Sequence, residues 1–304
     1  MSIRLSTEVT GLKLANPTML AAGILGLTGS SLRNVIDASA GAVVTKSVGL
    51  KQREGYPNPT VVQVKCGLIN AMGLPNPGIH YFREEIREAK EGGIPIIVSV
   101  YGFSPEEFAE VARIAAEAGA DALELNVSCP HVEKAGVEIG QDPQLVAEIV
   151  EVVKKRAHKP VFVKLTSHVA DITEVAKAAV EAGADAITAI NTVKAMAINI
   201  ETTWPILANK IGGLSGPAIK PIALRCVYEI FQEVDVPVIG CGGITTWRDA
   251  VEFMLAGASA VQIGTAIAFK GTGVFKSITR GIYTYLRKRD FRSVREIVGL
   301  SHCH

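Results

Sequence analysis

The stretch Glu117-Ala-Gly-Ala-Asp-Ala-Leu-Glu-Leu-Asn126 decides the fold, because it recurs along the chain. Glu181-Ala-Gly-Ala-Asp185 precedes Ala-Ile-Thr-Ala-Ile-Asn191, and Leu255-Ala-Gly-Ala-Ser259 precedes Ala-Val-Gln-Ile-Gly264. A fourth copy, Ser39-Ala-Gly-Ala42, precedes Val-Val-Thr-Lys46. Each reads as a helix end, a glycine at the C-cap and a short buried strand. Repeated αβ units of this kind imply a parallel sheet joined by crossover helices.

Working outward, eight candidate strands lie near Thr18–Ala22, Ala42–Lys46, Ile96–Val100, Ala122–Asn126, Val161–Lys164, Ala186–Ile190, Val238–Gly240 and Ala260–Ile263. Helical patterns fall between them, for example Pro105–Ala118, Pro143–Ala157, Ile172–Ala182 and Thr246–Ala256, several opened by proline or a polar cap. Eight units in 304 residues predict a single (β/α)8 TIM barrel domain over residues 1–304, with no linker or low-complexity stretch. A doubly wound sheet is the alternative, but it would need more variation in unit length. Two segments exceed an ordinary βα loop, Ser47 to about Ile94 and Thr192 to about Lys220. Both leave carboxyl ends of strands, so they are expected over the barrel mouth, where long loops are usually functional.

A net charge of +1 offers no field to recruit nucleic acid, and no run is rich in Lys and Arg. The longest apolar runs, such as Pro95 to Val100, are strand-length and fall far short of a membrane span. The N-terminus lacks the basic region and apolar core of a signal peptide, so a soluble cytoplasmic protein is expected. The five cysteines are an odd number, widely scattered, with no C-x-x-C. That pattern suggests neither a disulfide framework nor a thiolate metal site, and no functional metal is expected. The tail Ser301-His-Cys-His304 could bind a stray metal, although chain ends are usually mobile.

The residues at the strand exits form a polar ring: Lys46-Ser47, Ser99, Asn126, Lys164, Asn191-Thr192, Gly242-Gly243 and Gly264-Thr265. In parallel α/β proteins this edge is where ligands bind. The strand ending at Asn126 breaks at Pro130, leaving Asn126, Ser128 and Cys129 on the loop beyond it. An amide followed three residues later by a thiol suits a base working beside a hydrogen-bonded heterocycle. A lone cysteine is more commonly a buried structural residue, and it is the surrounding ring that favours chemistry. A lysine closing an apolar strand is costly unless its ammonium meets an anion or acceptor, and Lys46 and Lys164 converge on the same mouth.

Gly240-Cys-Gly-Gly-Ile244 after the seventh strand and Gly264-Thr265 after the eighth read as a phosphate cradle of bare backbone N–H groups. With no G-x-G-x-x-G at a first strand, a mononucleotide such as FMN is favoured over a dinucleotide. Lys164 near the flavin N1–C2 edge would stabilise negative charge on the reduced ring. In Asn70-Ala-Met-Gly-Leu-Pro-Asn-Pro-Gly78, the amides of Met72, Gly73 and Leu74 can form an anion-binding nest. Lys46 would add a full charge, and together they would seat a carboxylate. A plain turn suits the Pro75–Gly78 portion.

These residues carry a resemblance. The chain resembles class 1 dihydroorotate dehydrogenases, particularly archaeal sequences and the B-type form. The likeness runs through Asn16-Pro17, Ala22-Gly23, Thr45-Lys-Ser47, Asn70-Ala-Met-Gly-Leu74, Asn126-Val-Ser-Cys-Pro130, Lys164-Leu165, Asn191-Thr192, Gly242-Gly243 and Gly264-Thr265. It implies FMN on the mouth, contacted by Ala22, Lys46, Ser47, Ser99, Asn126, Lys164, Ile190, Gly216, Gly242, Gly243, Gly264 and Thr265. It implies a pyrimidine held by Lys46, Asn70, Ala71, Met72, Gly73, Leu74, Asn126, Asn191 and Thr192. Cys129 matches the family's catalytic base, which takes the C5 proton of (S)-dihydroorotate while FMN N5 accepts hydride from C6, giving orotate for UMP synthesis.

The chain departs from bacterial members at Ala22, where they often have Ser, and at Ser99, where they often have Asn. It has His131 in place of the usual Asn after Pro130. This feature and Gly140-Gln-Asp-Pro143 also resemble the pyrimidine-reducing domain of dihydropyrimidine dehydrogenase. The loop from His131 to Pro143 lacks the Pro-Gly-Lys-Pro-Gln run of fumarate-using A-type relatives and ends like the B-type pattern. The B-type resemblance implies a homodimer that joins a separate subunit carrying FAD, a [2Fe–2S] cluster and an NAD site, as a heterotetramer. The alternatives are a pyrimidine reductase, a fumarate-dependent dihydroorotate dehydrogenase, and a non-catalytic barrel that binds a phosphorylated ligand.

Overall fold

The repeated helix-end unit shapes the backbone of the computed structural model, which describes residues 3–128 and 139–303. Helices ending at Glu117, Glu181 and Leu255 are each followed by one alanine and then by Gly119, Gly183 or Gly257, with φ of 110°, 102° and 118°. Only glycine enters that region without strain, so each helix stops there and the chain turns into a strand. The fourth copy sits in a different register from the one its Ala-Gly-Ala suggests. Its helix ends at Asp37, the left-handed residue is Ser39 (φ 75°), and Gly41 occupies the place that Asp121 and Asp185 take elsewhere. Gly41 is glycine for another reason: a Cβ there would lie 2.1 Å from the Asn16 carbonyl oxygen.

The strands are β1 (Thr18–Leu20), β2 (Ala42–Val44), β3 (Ile96–Val100), β4 (Ala122–Asn126), β5 (Val161–Leu165), β6 (Ala186–Ala189), β7 (Val238–Cys241) and β8 (Ala258–Ile263). They close into one parallel barrel in sequence order, β8 pairing with β1 through Val261↔Thr18. Seven of the surrounding helices are α1 (Gly29–Asp37), α2 (Ile79–Lys90), α3 (Pro105–Glu117), α4 (Pro143–Ala157), α5 (Ile172–Glu181), α6 (Lys220–Glu233) and α7 (Trp247–Leu255), and α8 (Val274–Lys288) follows β8. Strand and helix positions agree with the sequence reading to within two residues at nearly every end.

Two of the repeats share an ion pair at the start of their strands. Asp121 accepts the Ile96 N–H and the Lys90 ammonium, and Asp185 accepts the Val161 N–H and the Lys154 ammonium, all at 2.7–2.8 Å. Each aspartate thereby ties the start of its own strand to the preceding strand and to the helix that leads into that strand. The barrel interior is filled from Met19, Val44, Ile97, Phe162 and Ile239 with the small residues Ala42, Ala122, Ala186 and Ala260. A hairpin not foreseen from sequence, Thr7–Val9 with Leu12–Leu14, adds Val9 and Leu14 to this cluster. It is short and half polar, so its alternation carried little signal.

The two long insertions do more than lie over the mouth. Val61–Val64 and Gly67–Asn70 come from the first; Val193–Met196 and Ile211–Ser215 come from the second. They form one four-stranded antiparallel sheet, joined by Gly213↔Asn70, Leu214↔Ile69 and Ser215↔Leu68. No described helix is long and apolar enough to cross a membrane. At the chain end His302 stacks on Tyr228 with ring centroids 3.9 Å apart, so its ring is part of the packing.

Candidate active site at the barrel mouth

Beneath that sheet lies a cavity of about 640 Å³, continuous with a smaller lobe of about 80 Å³ through Ala22, Lys164, Asn191, Thr192, Ser215, Gly264 and Thr265. The larger space is also lined by Lys46, Ser47, Asn70, Ala71, Met72, Gly73, Leu74 and Asn126. The smaller one is lined by Ile190, Gly216, Gly242 and Gly243. One predicted site residue stands apart. Ser99 is fully buried and lines neither space; its hydroxyl lies 2.9 Å from Ser47 Oγ, behind the wall of the larger cavity. Cys129 and His131 lie outside the described residues.

A chain of polar contacts runs along one wall. Asn126 donates its amide to Ser47 Oγ at 3.1 Å and accepts from Asn191 Nδ2 at 3.1 Å. Asn191 Nδ2 also reaches Ser128 Oγ at 3.0 Å, and its Oδ1 accepts the Thr192 N–H at 2.8 Å. The amide orientations of both asparagines are set by these contacts. Across the mouth, Gly73 and Leu74 have φ of 74° and 57°, and the N–H groups of Met72, Gly73 and Leu74 have no hydrogen-bond partner among the described residues. Consecutive free amides at such a turn form an anion-binding concavity.

The smaller lobe has the same character. The N–H groups of Gly243, Gly264 and Thr265 are also without a partner among the described residues. Gly243 has φ 73°, and a Cβ there would meet Lys220 Cβ at 2.7 Å and the Gly216 carbonyl at 2.9 Å. The loop is therefore pressed against α6, and Lys220 is held in turn by Asp249 at 2.8 Å and Glu252 at 2.8 Å. Asp249 Oδ2 also accepts from the backbone and hydroxyl groups of Thr245 and Thr246, capping α7. Burial pushes this carboxyl up, but Lys220 and the threonine donors outweigh it and bring it down to about 2.

A carboxyl depressed in the folded state stabilises fully above its unfolded value, and that stabilisation fades as pH falls toward the folded one. Asp249 should thus contribute about 2 kcal/mol at neutral pH that disappears between roughly pH 5 and pH 2. Asp249→Asn should flatten that part of the acid-unfolding profile, measured by denaturant midpoints against pH. An unchanged acid limb would mean that the clamp contributes nothing.

Charge at the mouth is one-sided. Among the described lining residues of the large cavity Lys46, Arg53, Lys164 and Lys194 are cationic, and none is Asp or Glu. In a chain whose net charge is +1, that concentration marks an anion site. Burial works against the Lys164 ammonium, but Cys241 and Glu124 beside it pull the other way and the net direction is up. Burial pushes the neighbouring Cys241 thiol up as well, with Lys164 pulling it down and Glu124 adding to the rise.

Sequence reasoning missed Arg53, Thr166, His168 and Lys194. Arg53 sits in what reads as a solvated charge run, and only folding places its guanidinium 5.3 Å from the Phe103 ring centre. His168 Nδ1 lies 3.1 Å from Thr166 Oγ1 and its Nε2 accepts the Lys194 N–H at 2.7 Å. The polar run Thr166-Ser-His168 just past Lys164 was the available signal.

The residues present fit a flavin mononucleotide: unpartnered amides at the glycine turns for a phosphate, a buried ammonium for an electron-rich ring edge, and oriented amides beside it. At Gly264 a Cβ would meet nothing closer than Ala21 Cβ at 3.4 Å, so packing does not demand glycine there, whereas an incoming ligand would.

Fold and site together define a (β/α)8 barrel with an anion-binding mouth on the carboxyl side of its strands. The chain belongs to the dihydroorotate dehydrogenase family, whose model matches residues 4–286. It is 54% identical over 301 residues to the protein from Pyrococcus furiosus named dihydroorotate dehydrogenase B (NAD(+)), catalytic subunit, covering 99% of both chains. Proteins of the same name from Methanocella arvoryzae (51% over 300 residues, 99% of this chain and 98% of the other) and Methanothermobacter thermautotrophicus (51% over 304 residues, 99% and 100%) are similar.

Proposed function

We propose that this chain, acting as one barrel domain, is the FMN-bearing catalytic subunit of a cytoplasmic dihydroorotate dehydrogenase that oxidises (S)-dihydroorotate to orotate in pyrimidine biosynthesis. The observation that carries this is the mouth itself: four cations, no described carboxylate, and the unpartnered amides of Met72–Leu74 opposite the Asn126–Asn191 pair. The relatives' names support the same reading.

When bound, FMN supplies the two-electron acceptor. Gly242, Gly243, Gly264 and Thr265 would hold its phosphate, and Ala22, Ser47, Asn126, Lys164, Ile190 and Gly216 would flank the rest, with Ser99 bracing Ser47. Lys46 and the 72–74 amides neutralise and seat the substrate carboxylate. Asn70, Asn126, Asn191 and Thr192 match their fixed donors and acceptors to the two amide edges of a pyrimidine ring. That pairing discriminates by leaving buried groups unpaired when the ring is wrong. Cys129 takes the C5 proton; a thiol has a suitable range for a base near neutral pH where its surroundings favour thiolate. Assignment of the phosphate end is tested by colour: purified protein reconstituted with FMN shows a flavin absorption band, and a protein that stays colourless defeats the cofactor reading.

The words "NAD(+), catalytic subunit" in the relatives' names point to a separate partner, which we infer carries FAD and a [2Fe–2S] cluster and joins a homodimer of this chain as a heterotetramer. The scattered cysteines and the lack of a dinucleotide fingerprint agree with that division of labour. The isolated chain should oxidise dihydroorotate with artificial acceptors and reduce NAD poorly. Co-purification from the native source, with iron and NAD-reduction assays, tests the partner, and efficient fumarate-dependent turnover by the lone chain would defeat it.

A further inference from the structure

Just below the mouth, four side chains from four strands make a polar belt across the barrel: Glu124 on β4, Lys164 on β5, Thr188 on β6 and Gln262 on β8, none more than 4% exposed. Glu124 Oε2 accepts from the Thr188 hydroxyl at 3.0 Å and from the Gln262 amide. Gln262 turns its carbonyl to Lys164 Nζ at 2.9 Å, which fixes the direction of its amide. The other carboxylate oxygen, Oε1, has no hydrogen-bond partner among the described residues and lies 3.7 Å from Lys164 Nζ. The titratable groups that face Glu124 are Lys164 and the Cys241 thiol on β7. A carboxylate so buried is costly unless a cation lies beside it, and among the described residues Lys164 is the cation in reach. Lys164 in turn lines both lobes of the cavity above. The mechanism makes no use of Glu124, yet it places a full negative charge beneath the lysine.

We propose that Glu124 is a positioning residue for Lys164: directly and through Gln262 it fixes the ammonium at the floor of the mouth, and it offsets part of its charge. The inference rests on the reading of this mouth as an FMN site. A flavin ring reduced by two electrons and one proton, the hydride that dihydroorotate supplies, carries one negative charge. A lone ammonium below it would favour that state strongly; an ammonium paired with Glu124 favours it less. Glu124 therefore keeps the reduced ring ready to give its electrons away, which an enzyme passing them to a further acceptor needs.

The test uses apo-protein titrated with FMN and with dithionite-reduced FMN. Glu124→Gln should raise the preference for the reduced form about tenfold, or about 30 mV upward for a two-electron couple. The same substitution made in a Lys164→Met background should leave that preference unchanged, because the lysine transmits the effect. A folded E124Q protein with the wild-type ratio overturns the proposal, as does an equal shift in both backgrounds.

A second arm needs no flavin. K164M alone leaves the buried Glu124 carboxyl without its cation, whereas E124Q/K164M removes both partners. K164M should therefore melt well below wild type, and the double variant should recover most of that loss. A double variant no more stable than K164M overturns the proposal even where E124Q fails to fold. A wild-type protein that binds no FMN sinks the cofactor reading instead, and the melting arm still reports on Glu124.

Discussion

Dihydroorotate should reduce the flavin of the FMN-loaded protein with an efficiency about 10⁴-fold above that of dihydrouracil, which differs by the missing carboxylate. The expectation follows from the 72–74 turn. Its three amides have no protein partner among the described residues, and Lys46 lines the same cavity. A site with several donors aimed at one anion loses all of those interactions with an uncharged ring, while their desolvation cost remains. Anaerobic stopped-flow reduction by each substrate measures the ratio. Comparable rates, or preference for dihydrouracil, would reassign the chain to pyrimidine reduction. The companion variant Lys46→Met should raise KM for dihydroorotate more than it changes the response to dihydrouracil.

Replacing Cys129 with alanine should lower turnover by ~10²–10⁴-fold while FMN stays bound and orotate affinity is largely retained. The loss is confined to proton removal, because Asn126, Ser128 and Asn191 make their contacts with one another without the thiol. Cys129→Ser should recover activity only toward high pH, since a hydroxyl is a far weaker acid than a thiol. Near-normal turnover of the alanine variant at neutral pH would falsify the assignment of Cys129 as base.

The barrel was legible because its evidence is local. Glycine at a helix end and a run of small and branched residues behind it report one backbone state each, and repetition turns weak signals into a strong one. The register error at Ser39 shows the limit of that logic. Ala-Gly-Ala looks the same whether glycine serves φ, as at Gly119, or close approach, as at Gly41 against the Asn16 carbonyl. Much of the mouth was legible for a related reason: Lys46, Asn126, Lys164, Asn191 and Gly264 each follow a strand, and strand ends in a parallel barrel must converge.

What the sequence by itself determined is the order of eight αβ units, the side of the barrel that bears the chemistry, and most of the residues that bear it. Those follow from local backbone preference and from the one-way arrangement of a parallel barrel. Only the tertiary structure decided which side chains meet. It set Ser99 behind Ser47, joined the two insertions through Gly213 and Asn70 into one sheet, and stacked Arg53 near Phe103. It also placed Glu124, an ordinary letter within an apolar strand, beneath Lys164 forty residues away, with Gln262 bridging them from a third strand. Such pairings depend on barrel closure, which brings together positions whose separation along the chain carries no periodic mark.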